Sequence, residues 1–340
     1  MWPVVGHEAA LSRLQRGLKN GNLGHAYLIS GPAHAGKMTL ALALARALNC
    51  CSDEAPCGDC AECRRIDAGS HPDVMVVALG SSADDENRSR TEISIKQVRD
   101  DIQHWANLPP FEGKYRVFII GGAEMLSLEA ANCLLKTLEE PQPGVLFLLL
   151  TDQPGRLPET VISRCQRIDL GPVASEKIKT ALLQKGSPEE KAELLGRLSH
   201  GRPGWAFEMG SNETLLARRE EHIESLLEVT EGDLEKRFAF ATELAGRFSQ
   251  KRTEVQEILE EWSDLWRDIL LHRASLNDTT TNLDYASRLQ SLAERFNINE
   301  IRDAIGAIGN AVKQLRQNGN PRLVLEVLML DMPTAGARKA

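Results

Sequence analysis

Residues 31–38 read Gly-Pro-Ala-His-Ala-Gly-Lys-Met. G-x-x-x-x-G-K is the phosphate-binding loop, in which backbone N–H groups cradle phosphates and the lysine adds a point charge. The next position should carry a Ser or Thr hydroxyl for the Mg²⁺ of a nucleoside triphosphate. Here it is Met38, whose soft thioether is a poor ligand for a hard cation. Thr39 comes one residue late, about 100° further round a helix. Gly31, Gly36, Lys37 and Thr39 are thus the candidate ATP or ADP contacts of a degenerate loop, in which Thr39 does not restore the missing hydroxyl. A second part is also absent. The run Arg116–Ile120 (RVFII) should end in an acidic residue that holds Mg²⁺, but Gly121 and Gly122 follow it. Glu124 is close by and is expected at the start of the next helix, where the dipole favours it. Two losses at one metal site predict a loop that does not hydrolyse ATP.

Cys50, Cys57, Cys60 and Cys63 form the pattern C-x6-C-x2-C-x2-C. Four thiolates close a tetrahedral Zn²⁺ site and leave no position for water, so the metal they predict is structural. Cys51 competes with Cys50 as the first ligand, and Cys133 reads as a core residue. Ser163-Arg164-Cys165 is a further tripeptide of interest, although an isolated arginine at a domain edge is usually a solvated surface residue.

The elements that must hold these residues alternate over the first 170 or so positions. His25–Ser30 reads as a strand entering the glycine loop and Lys37–Asn49 as the helix leaving it, the context that a phosphate loop requires. Asp73–Ala78, Arg116–Ile120 and Val145–Thr151 read as further buried strands. Ile95–Leu108 reads as a helix ending before Pro109-Pro110, and Ser127–Glu140 as one stopped by Pro141. Gly80–Ser89 is polar and reads as a surface loop. The alternation predicts an α/β domain with a mainly parallel sheet.

From about residue 171 strand signals stop. Residues 175–184, 188–198 and 204–209 predict a small helical domain, and 214–332 reads as helical throughout. Val255, Ile258, Leu259, Trp262, Trp266 and Ile269 form one apolar stripe at helical spacing, and Ile301, Ala304, Ile305 and Ile308 another. A last helix follows Asn320-Pro321, and 333–340 reads as a frayed tail.

The composition is ordinary for a globular chain of two or three domains: 340 residues, 42% hydrophobic and 26% charged. A formal net charge of −8 argues against a stand-alone DNA binder, which carries a basic patch or stripe. The N-terminus lacks the basic and apolar segments of a secretion signal, and no apolar run approaches about 18 residues. A reducing cytoplasm is the expected compartment, where clustered cysteines mean metal.

Together these pieces resemble the AAA+ clamp-loader subunits of bacterial DNA polymerase III. The resemblance rests on Val5-Gly6-His7, HAYLISGP (residues 25–32), the four-cysteine insert, Ala130-Ala131-Asn132, LLKTLEEP (134–141), Ser163-Arg164-Cys165 and NGNPRLVLEVLML (318–330). It implies an α/β AAA+ P-loop domain with a parallel sheet over 1–170, a helical lid domain over 171–213 and an all-α collar over 214–332. Within that family, Met38 and Gly121-Gly122 place the chain with the non-hydrolysing delta-prime type, the alternative being a gamma/tau-type motor. Active members carry an Arg at the start of a helix in the second domain; here that position is Trp205, with Arg202 before the Pro203-Gly204 turn. The resemblance implies that Arg164 acts as an arginine finger in trans, reaching ATP on a neighbouring gamma/tau subunit. It further implies gamma/tau and delta subunits as partners, the beta sliding clamp through the assembly, and primer-template DNA held by its phosphate backbone.

Overall fold

The computed structural model describes residues 2–79 and 92–334. The polar stretch expected as a surface loop, residues 80–89, lies outside the described residues, as does most of the expected tail. The chain divides into two compact units: residues up to Ala181 with Ser199–Trp205, and Leu182–Leu198 with the chain from Ala206 onward.

The first unit is built on five parallel strands, β1 (Ala26–Ser30), β2 (Val74–Val77), β3 (Arg116–Gly121), β4 (Val145–Thr151) and β5 (Gln166–Asp169), in the order β2-β3-β4-β1-β5. Period-2 geometry sends neighbouring side chains to opposite faces. Thus Phe118, Ile120, Phe147 and Leu149 enter one core, while Val117, Ile119, Leu146 and Leu148 enter the other. Both faces are covered, which is why these strands are apolar at nearly every position. Phe118 and Phe147 stack at 5.2 Å across adjacent strands.

Strand β5 escapes the sequence reading because it lies at the sheet edge and buries only Ile168 of Gln-Arg-Ile-Asp. The amphipathic helix Glu8–Lys19 is a second element outside that reading. Helix formation over 95–106 is as expected, with a wider turn at Arg99–Gln103.

Parallel strands bring all their C-terminal ends to one edge, where open α/β sheets bind ligands. In register, Ser30 pairs with Thr151 and Gly121 with Leu150. The starts of the glycine loop, Gly121-Gly122 and Asp152 therefore share one rim.

The second unit contains helices Glu213–Glu231, Leu234–Gln250, Arg252–Arg273, Ala286–Arg295, Ile298–Arg316 and Pro321–Asp331. The Val255-to-Ile269 stripe is buried as its spacing predicts, and Ile301, Ala304 and Ile308 join the same core, with Ile305 at its margin. The expectation of unbroken helix over 214–332 fails between 274 and 285, where only two short turns form, Asn277–Thr279 and Leu283–Tyr285. Fully buried Asp268 explains the break: its Oδ2 accepts from the backbone N–H groups of Thr281 (2.9 Å) and Asn282 (2.7 Å) and from the Asn282 side chain (2.8 Å). A buried carboxylate needs such donors, and backbone that supplies them is drawn out of helical pairing.

Candidate functional site

The glycine loop joins β1 to the helix Lys37–Asn49. A Cβ on Gly31 would lie 2.5 Å from the Leu170 carbonyl oxygen, so only glycine fits where the loop leaves the sheet. Gly36, at φ 100°, turns the chain into the helix, a conformation that L side chains rarely adopt. Two remote segments grip the loop. The His7 ring Nε2 lies 3.0 Å from the Ala35 carbonyl, and the Gly204 N–H donates to the His34 carbonyl at 2.8 Å. A side chain at Gly204 would collide with that carbonyl, at 2.8 Å.

Lys37 does not project freely towards a ligand. Its Nζ donates to the carbonyls of Gly31 (2.8 Å) and Pro32 (2.7 Å) and lies 2.5 Å from Asp152 Oδ1, with only 11% of the side chain exposed. Asp152 immediately follows β4 and is a site residue that the sequence reading missed. The available signal was an acidic residue directly after a fully apolar strand in a domain with a phosphate loop.

Met38 stands where the loop pattern calls for a hydroxyl. Its terminal methyl lies 3.6 Å from where a Gly121 Cβ would be, and the Ala78 methyl lies 3.5 Å from the same point. The two positions altered in sequence thus meet in space, and apolar atoms occupy the ground between them. Thr39 is exposed. Glu124 corrects one expectation: it sits in a separate turn, Ala123–Met125, and not in the first turn of the helix Leu128–Glu139, which Ser127 caps by accepting from the Ala130 N–H. Positive φ at Gly122 (67°) starts this extra turn and holds Glu124 outside the helix. Glu124 Oε1 lies 3.4 Å from the Asp152 amide nitrogen. In the segment that the resemblance sets against the nucleotide, Arg202 donates to the Ser199 carbonyl at 3.0 Å and lies over the Trp205 ring, 5.8 Å from its centroid.

Cys50, Cys57, Cys60 and Cys63 converge, with all four Sγ atoms within 4.8 Å of one another. The Cys50–Cys57, Cys50–Cys60 and Cys57–Cys63 separations are 3.5, 3.9 and 4.0 Å. Four sulfurs at tetrahedral corners about 2.3 Å from a central zinc would be about 3.8 Å apart, so the residues present fit a metal. Cys50 is buried at the end of helix Lys37–Asn49 and is the cluster member, whereas Cys51 is exposed and lies outside the four. Cys60 caps the helix Ala61–Asp67, accepting from the Cys63 N–H, which draws the Cys60 thiol down to about 6. Burial pushes Cys63 up to about 12.

Arg164 follows the short helix Glu159–Ile162. Its guanidinium donates to the Thr160 carbonyl (2.9 Å) and Ser163 Oγ (3.3 Å) and pairs with Glu139 at the end of helix Leu128–Glu139. With 33% of its side chain exposed, it is held by its own chain yet accessible. Cys165 packs against the sheet core, and burial pushes its thiol up to about 11. Cys133 packs there too, as its sequence position suggested. Among the described residues, no helix is long and apolar enough to cross a membrane.

Two family models match: "DNA polymerase III, delta subunit" over residues 6–174 and "DNA polymerase III, delta subunit, C terminal" over 214–334. DNA polymerase III subunit delta' of Bacillus subtilis is 28% identical, covering 93% of this chain and 93% of that protein. Subunit tau of Escherichia coli is 38% identical over 58% of this chain, which spans 30% of its length. Subunit tau of B. subtilis is 28% identical over 97% of this chain, which spans 60% of its length. Among solved structures, a DNA polymerase III gamma subunit-related protein of Thermotoga maritima aligns with a TM-score of 0.47 at 19% identity, covering 94% of this chain and 97% of that one.

Proposed function

Because the chain belongs to the DNA polymerase III clamp-loader family, we propose that it serves there as the delta-prime-type subunit, a stator that does not hydrolyse ATP. The observation that carries this reading is the contact region between Met38 and Gly121, where apolar atoms stand in place of Mg²⁺ ligands. Hydrolysis depends on that ion to neutralise the developing phosphoryl charge. Residues 1–170 would form the AAA+ domain, 171–213 the lid and 214–332 the collar joining gamma/tau and delta subunits. The assembly would open the beta clamp and seat it on primer-template DNA in the cytoplasm, with contacts to the phosphate backbone.

Arg164 is the residue through which this chain takes part in catalysis. Released from Glu139, its guanidinium can reach a neighbouring subunit's ATP and stabilise the transition state, an effect worth about 10³ to 10⁵ in related phosphoryl transfers. Cys50, Cys57, Cys60 and Cys63 hold a structural zinc that ties the end of helix Lys37–Asn49 to helix Ala61–Asp67.

The gamma/tau-type motor is the second reading, favoured by the 38% identity to a tau subunit over 58% of the chain. DNA-stimulated ATPase activity of the reconstituted clamp loader separates the two. Arg164→Ala is expected to lower turnover strongly, while Lys37→Ala stays near wild type. Loss with Lys37→Ala and silence of Arg164→Ala would replace the stator with the motor.

A further inference from the structure

We infer that Asp152 is an internal counter-ion which closes this phosphate loop to nucleotides, making it a specificity-determining residue of the site. The inference rests on the loop being a non-hydrolysing one, but it concerns binding, a separate property from hydrolysis. Loss of Mg²⁺ ligands alone does not prevent binding, because Gly31, Gly36 and Lys37 would still offer a cradle to metal-free ADP.

The observations converge on the lysine. Its ammonium has three protons, and the structure gives it three partners: the Gly31 carbonyl, the Pro32 carbonyl and the Asp152 carboxylate. A phosphate entering the cradle has to displace at least one. The carboxylate is the consequential one, since it neutralises the charge that attracts the phosphate and would repel the phosphate after displacement. The loop is also fixed in this state by other parts of the unit: the His34 carbonyl accepts from Gly204 and the Ala35 carbonyl lies at the His7 ring. Asp152 in turn follows β4, the neighbour of β1, so the rigid sheet places the carboxylate opposite the lysine. Its side chain is 41% exposed, so the pair sits at the rim where a nucleotide would arrive.

The test is binding of ADP to the full chain by calorimetry, in EDTA and in Mg²⁺, for wild type, Asp152→Asn, Asp152→Ser and Asp152→Asn with Lys37→Ala. The two single variants remove the charge in different ways, and their melting temperatures identify any that fails to fold. Asp152→Asn is expected to bind ADP at least about tenfold more tightly than wild type, equally well without Mg²⁺, and the gain should vanish when Lys37 is also replaced. Tight ADP binding by wild type overturns the inference. So does absence of a gain in a folded Asp152 variant, or a gain that survives loss of Lys37. These outcomes are independent of the Arg164 experiment on the assembled loader: a chain whose loop binds ADP could still be a stator, and ATP turnover dependent on Lys37 would refute the stator reading itself.

Discussion

Putting back the two missing metal-site groups should expose how closely their losses depend on each other. Gly121 ends β3 beside β4, and the place of its absent Cβ lies 3.6 Å from the Met38 methyl and 3.5 Å from Ala78. A Cβ alone fits at ordinary van der Waals distance, but the carboxylate of Gly121→Asp must enter space that Met38 fills. Overpacking and an unpaired polar group beside apolar atoms should cost about 2 to 3 kcal/mol together. Met38→Thr removes a partly buried side chain and should cost about 1 kcal/mol. In the double variant the shorter threonine vacates the space and its hydroxyl can donate to the new carboxylate. The double should therefore lie about 2 kcal/mol closer to wild type than the sum of the singles. Native-state hydrogen exchange of β1 and β3 amides is the suitable assay, because it reports the stability of the sheet unit separately from the helical unit. A coupling within about 0.5 kcal/mol of zero, with all four proteins folded, would refute the claim that Met38 fills the space which a carboxylate at position 121 would need.

Two further outcomes are expected. Metal analysis of the purified chain should find one zinc; Cys51→Ser should retain it and Cys50→Ser should lose it, and the reverse result would reassign the first ligand. Asp73 is buried, which raises its pKa, but the N–H groups of Glu112, Gly113 and Phe111 and the Arg116 guanidinium outweigh burial and hold its carboxyl down at about 2. Because the folded value lies below the unfolded one, Asp73 contributes its full stability above about pH 4 and loses it as the pH falls towards 2, about 2 to 3 kcal/mol in all. Asp73→Asn should cost about 3 kcal/mol at neutral pH by leaving buried Arg116 without its counter-charge and should flatten that acid limb. An unchanged limb in urea titrations between pH 4 and 2 would show that the carboxylate is not its source.

Some of this protein is legible in the chain because the relevant interactions are local. The G-x-x-x-x-G-K spacing forms a turn between a strand and a helix, four cysteines within fourteen residues can only close a compact cluster, and apolar runs such as Val145–Leu150 declare a strand buried on both faces. The helical stripe from Val255 to Ile269 follows from 3.6-residue periodicity in the same way. Other features come from contacts between distant positions. Cys50 prevails over Cys51 because the end of helix Lys37–Asn49 turns it inward. The break at 274–285 depends on donors drawn to Asp268, and β5 is a strand because an edge position tolerates Gln-Arg-Ile-Asp. The Lys37–Asp152 pair and the Met38–Gly121 approach exist only because β1, β3 and β4 lie side by side with their C-terminal ends aligned. Sequence spacing specifies which groups a segment can offer. Strand order specifies which of them meet, and at this rim that decides whether the phosphate loop faces a ligand or its own chain.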